Sequence, residues 1–88
     1  MDENELKPTA DPPVDVERLA AELGLQILRA SLANYPGCTH WHFTKPGVKG
    51  TLECTWWPRN RRLWLSVHSN RAAAWQASVI EAFRATFG

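Results

Sequence analysis

No apolar run in the 88 residues approaches the ~20 needed to cross a membrane as a helix. The opening stretch, residues 1–13 (MDENELKPTADPP), is acidic and lacks both the basic segment and the apolar segment of a secretory signal. Cysteine occurs only twice, too seldom for a disulfide framework. Together these absences lead to the expectation of a cytoplasmic protein with reduced thiols and no membrane partner. There is no internal repeat, and no low-complexity segment follows the N-terminal stretch.

Tryptophan, by contrast, is abundant: five in a chain short enough for one core. Four of the five lie between Cys38 and Asn70, together with all three histidines and both cysteines. Charge is divided along the chain. Residues 1–37 carry seven acids and three bases, residues 38–88 two acids and seven bases. A basic half beside an acidic one implies either an anionic partner or an acidic segment folded back over a basic face.

Residues 1–13 hold three prolines, several acids and almost no apolar side chains. Such a stretch buries too little surface to offset its ordering entropy, and is expected to be a disordered acidic tail. The domain is expected over 14–88. A first helix starts at Asp11-Pro12 or at Asp15, since Asp caps helices and Pro suits the first turn. Val16, Leu19, Ala20, Leu23, Ile27 and Ala30 recur at helical spacing and form its predicted core face. Leu25, Leu28 and Leu32 add a second apolar stripe. Gly24 falls mid-helix in this reading, and Tyr35-Pro36-Gly37 ends the helix.

Three strands follow, at 39–44, 51–57 and 62–68, separated by the turns Lys45–Gly50 and Pro58–Arg61. Alternation puts Trp41, Phe43, Leu52, Cys54, Trp56, Leu63, Leu65 and Val67 on one face. His40, His42, Glu53, Thr55, Trp57, Trp64, Ser66 and His68 take the other. A second helix capped by Ser69 or Asn70 presents Ala72, Trp75, Val79 and Phe83 to the core. The expected fold is an α+β two-layer sandwich of order α-β-β-β-α. Its sheet is a three-stranded antiparallel meander with both helices on one face.

The second face has no later segment to cover it. Trp57 and Trp64 are expected to be exposed there, flanked by His40, His42, His68 and Thr55, as a surface for a protein partner or a second copy. The alternative partner is nucleic acid, stacked on the same aromatics and held by Lys45, Lys49, Arg59, Arg61 and Arg62 in the two turns. A third reading uses the cross-strand row His42–Glu53–His68, which has the donor set of a metal or acid–base site. Polar groups on a wet sheet face are ordinarily just solvated. No metal, cofactor or catalytic residue is therefore assigned, and the chain is read as a non-catalytic binding module. Cys54 is read as a small core residue.

The α-β-β-β-α order over roughly residues 14–88 is similar to that of double-stranded-RNA-binding domains. In that family a basic start to the last helix and a histidine in the first hairpin loop grip RNA. Here the helix opens Ser69-Asn70-Arg71-Ala72-Ala73-Ala74, with one base, and Lys45–Gly50 contains no histidine. The segment Gly37-Cys38-Thr39-His40-Trp41-His42-Phe43 also resembles the Gly-Ser-His segment of HicA-type mRNA interferase toxins, with different spacing. Neither resemblance identifies the chain.

Overall fold

A computed structural model describes residues 2–30, 34–67 and 74–88. In chain order the elements are β1 (Asp2–Leu6), α1 (Pro12–Glu22), β2 (Gln26–Ala30), β3 (Thr39–Thr44), β4 (Leu52–Trp57), a 3-10 turn (Pro58–Asn60), β5 (Arg62–Val67) and α2 (Trp75–Phe87). The strands form one antiparallel sheet in the order β1-β5-β4-β3-β2. The fold is α+β, as expected. The three-stranded meander and the order shared with double-stranded-RNA-binding domains are not: β1 and β2 flank the meander and make five strands. His68, Leu32 and the caps expected at Ser69 or Asn70 lie outside the described residues.

α1 begins at Asp11-Pro12, as the sequence suggests, but ends at Glu22. Gly24 adopts φ +76°, a left-handed conformation that only glycine takes without cost. Its N–H bonds the carbonyl of Ala21, and the N–H of Leu25 bonds that of Ala20, both at 3.0 Å. This is the Schellman arrangement, which satisfies the last carbonyls of a helix. Leu25, the residue that closes the motif, is buried in the core. Ile27 and Leu28 therefore leave the helix, and both are exposed on β2 instead.

The acidic stretch expected as a tail supplies β1. Leu6 lies opposite Leu63 and is buried; Glu5 lies opposite Trp64. Arg62 of β5 donates to the Glu5 carboxylate, with Nε at 2.9 Å. Arg84 of α2 donates to the Asn4 side-chain oxygen at 2.8 Å. Alternating acids have little strand character alone, and pairing with a basic neighbour overrides that propensity.

The expected core face is the observed one. Trp41, Phe43, Leu52, Cys54, Trp56, Leu63 and Leu65 pack with Val16 and Ala20 of α1 and with Trp75, Val79, Phe83 and Phe87 of α2. Burial pushes the Cys54 thiol far up from its ordinary value, consistent with a packing role. The β3–β4 turn is type II in character, with Pro46 leading and Gly47 at φ +77°. α2 is fastened over this turn. Trp75 Nε1 donates to the Lys49 carbonyl at 2.7 Å, and Gln76 Nε2 to that of Thr51 at 2.6 Å.

Glu17 joins α1 to the sheet. It accepts from the indole N–H of core Trp41 at 2.7 Å and from Arg29 Nε of β2 at 2.9 Å. Burial pushes its pKa up, but the Trp41 and Arg29 hydrogen bonds outweigh that, and the carboxyl sits below its ordinary value. A carboxyl depressed in the folded state stabilises above its unfolded pKa, about 4.3, and that contribution disappears as pH falls through the folded value. Glu17→Gln should therefore melt below the parent at pH 6, with the gap constant down to about pH 5 and closing towards pH 3. Melting curves across that range check the sign. A gap that widens on acidification would be inconsistent with a depressed carboxyl.

Candidate functional site

The outer face of the sheet, away from the helices, holds the residues singled out by the sequence. Two observed registers decide how they meet. β3 and β4 pair as expected, with His42 opposite Glu53 and His40 opposite Thr55. β4 and β5 pair two residues away from expectation: Trp57 faces Arg62, Thr55 faces Trp64 and Glu53 faces Ser66. The cause is the tight connection. Pro58–Asn60 coils into a 3-10 turn and Arg61 takes φ 48°, so the strands rejoin at Trp57 and Arg62. A slip of two leaves every side chain on its predicted face.

Trp64 is not the exposed aromatic that the sequence suggests; it is 4% exposed. Tyr35, in the segment between β2 and β3, packs edge-on against both outer tryptophans. Its ring lies 5.0 Å from Trp57 and 5.6 Å from Trp64. The Arg62 guanidinium lies 4.4 Å from the Trp64 ring centre. Trp57 is half-buried, and its buried Nε1 has no hydrogen-bond acceptor among the described residues. A tyrosine next to the proline that was read as a helix stop gave no signal of this role.

The two basic turns also differ from one another. Lys45, Lys49 and Arg59 are exposed. Arg61 donates to the Thr9 carbonyl at 3.1 Å and lies over Trp56, and Arg62 is paired with Glu5.

At the centre of the outer face is a polar cluster. His40, Glu53, Thr55 and Ser66 are buried; His42 is half-buried. His40 Nδ1 is 2.7 Å from Thr55 Oγ1, and His40 Nε2 is 3.0 Å from Glu53 Oε1. The His42 ring stands edge-on to His40 at 4.8 Å. One donor atom from each of His40, His42 and Glu53 falls within 4.8 Å of the others. The row expected from the sequence ran through His42, Glu53 and His68. The structure gathers two of those three and adds His40; His68 lies outside the described residues.

His42 also lines an open groove of about 510 Å³ along β2, with Gln26, Ile27, Leu28, Thr44 and Thr51. Sequence analysis missed β2 because Gln-Ile-Leu-Arg-Ala suits a helix as well as a strand. A smaller depression of about 210 Å³ lies between α1 and the end of α2, where Asp15 and Arg18 form an ion pair. No helix among the described residues is long and apolar enough to cross a membrane. No protein-family model, curated protein or solved structure matches the chain, so a functional reading rests on this geometry.

Proposed function

We propose that the chain is a small non-catalytic protein-binding module that pairs with a second copy of itself along β2. The observation that carries this reading is the state of that strand. All five of its residues are exposed, and it forms one edge of the sheet. An edge strand offers unpaired backbone groups, and proteins ordinarily blunt such edges with charge. The opposite edge, β1, is blunted by Glu3 and Glu5. β2 turns Gln26, Leu28 and Ala30 outward with no charge among them, and Leu28 is 66% exposed.

A second copy fits because the strand is self-complementary about its middle residue. Antiparallel pairing centred on Leu28 sets Leu28 against its counterpart, Gln26 against Ala30, and Ile27 against Arg29. Each Arg29 keeps its own Glu17 carboxylate, so the two guanidiniums do not meet as bare like charges. The contact is isologous, as a two-fold dimer requires. It would extend the sheet across both copies.

Sedimentation velocity tests the proposal. The parent should sediment as a dimer at micromolar concentration, and Leu28→Lys as a monomer with its dissociation constant raised at least ~100-fold, in line with loss of a central apolar anchor. Folding should change by no more than about 0.5 kcal/mol, because the side chain is exposed. A parent that stays monomeric at high concentration would refute self-pairing. The nucleic-acid alternative has less support, since Tyr35 covers the stacking tryptophans and Arg61 and Arg62 are engaged within the chain. Steeply salt-dependent binding of a random oligonucleotide would revive it.

A further inference from the structure

We infer that His40, His42 and Glu53 form a binding site for a divalent transition-metal ion of the zinc class. Two imidazoles and one carboxylate are a donor set suited to Zn²⁺, Co²⁺ or Fe²⁺, and three protein ligands leave a coordination position open. The three come from the paired strands β3 and β4, with His42 opposite Glu53 and His40 two residues along, so a rigid sheet positions them. The separations are close to what an ion needs. His40 Nε2 and Glu53 Oε1 are already 3.0 Å apart, and the three donor atoms span at most 4.8 Å. Ligands at ~2.0–2.2 Å from a tetrahedral zinc lie roughly 3.3–3.5 Å from one another. A rotation of the half-buried His42 side chain brings the third donor in.

The surroundings also fit. A metal-bound imidazole usually donates its other N–H to a neighbouring oxygen, which fixes the ring and its tautomer. Thr55 Oγ1, itself 1% exposed, stands 2.7 Å from His40 Nδ1 in the place such an oxygen would occupy. Both ring nitrogens of His40 already have oxygen neighbours. With no ion, Nε2 stands 3.0 Å from Glu53 Oε1 and Nδ1 stands 2.7 Å from Thr55 Oγ1. With an ion, Nε2 gives its lone pair to the metal, the proton resides on Nδ1, and Thr55 accepts it. His42 lines the groove beside β2, so the ion enters from that side and its open position faces the groove. The site is complete within one copy and does not depend on the pairing of β2.

Titration of the full chain with Co²⁺ and with Zn²⁺ tests the inference. Calorimetry should give one ion per chain with a dissociation constant in the micromolar range or below. The cobalt form should show visible d–d bands of a low-coordinate site and no thiolate charge-transfer band. That second condition separates this site from adventitious binding at Cys38 or Cys54. Zn²⁺ should raise the melting temperature of the parent but not that of His42→Ala. Thr55→Val should retain one ion with ~10–100-fold weaker affinity, the usual effect of removing an outer-shell partner. His42 is half-buried, so its loss should leave the fold intact, and circular dichroism of His42→Ala confirms that independently. Absence of saturable binding below millimolar metal would overturn the site, as would unchanged affinity in a folded His42→Ala.

Discussion

Replacing Trp41 with alanine should remove about 3–5 kcal/mol of folding stability, the largest loss expected of any single substitution in the core. Trp41 has no exposed surface and stands on β3 between the two helices and the rest of the sheet. Truncating a buried tryptophan costs about 3–5 kcal/mol, from lost transfer energy and the cavity left behind. A domain of this size holds roughly 4–13 kcal/mol in total. The loss is enlarged here because Trp41 also donates to Glu17, and without the indole the carboxylate keeps, among the described residues, only Arg29 as its partner. Trp41→Phe separates the two contributions: it keeps most of the packing, loses the hydrogen bond, and should fall between parent and alanine variant. Urea unfolding at neutral pH checks the order. An alanine variant with a midpoint near that of the parent would mean that the core does not close around this residue.

Trp64→Ser is the second large effect, and its sign reverses what the sequence suggests. Had both outer tryptophans been exposed, exchanging them for serine would have altered association and spared folding. Trp64 instead lies beneath Tyr35 and beside the Arg62 guanidinium, nearly as buried as the core aromatics. Its loss should cost about 3 kcal/mol or more and lower the melting temperature by at least ~12 °C. Trp57 should behave differently. Its buried N–H has no acceptor among the described residues, and a donor left so in such surroundings costs about 1–3 kcal/mol. Trp57→Phe removes that donor along with some contact area, and the two changes should nearly cancel. Thermal melts of the two single variants are the measurement. Equal, small losses would contradict the covering of Trp64.

What could be read in advance was whatever one local pattern decides. Alternation in 39–44 and 51–57 yields the inner face, and the short Lys45–Gly50 turn yields the β3–β4 register. Trp75, Val79 and Phe83 recur at helical spacing and mark α2. The missed features depend on contacts distant in sequence. Asp2–Leu6 shows no apolar alternation, and becomes a strand because β5 offers Arg62 to its glutamates. The unequal distribution of charge did point to an acidic segment folding onto a basic one, but not to strand pairing. Leu25, Ile27 and Leu28 continue the helical stripe of α1 without a break, and only the backbone freedom of Gly24 diverts them. At the candidate site, the β3–β4 register places His42 opposite Glu53, as the alternation and the turn suggest. The row that the sequence suggests crosses three strands, whereas the cluster that includes His40 forms within one hairpin.

The seating of β1 against β5 carries a consequence for the timing of assembly. Leu6 must meet Leu63, and α1 and the strands β2, β3 and β4 all lie between them in the chain. During synthesis β1 emerges long before β5 exists. The hairpin of β3 and β4 can form from near neighbours, but the acidic strand has to wait, at the entropic cost of closing the longest loop in the sheet. Until it docks, the outer edge of β5 is bare, with Arg62 unanswered by Glu5. A neighbouring chain in the same unfinished state offers the same acidic strand. Crowded nascent chains therefore have a route to strand exchange that the finished fold closes off.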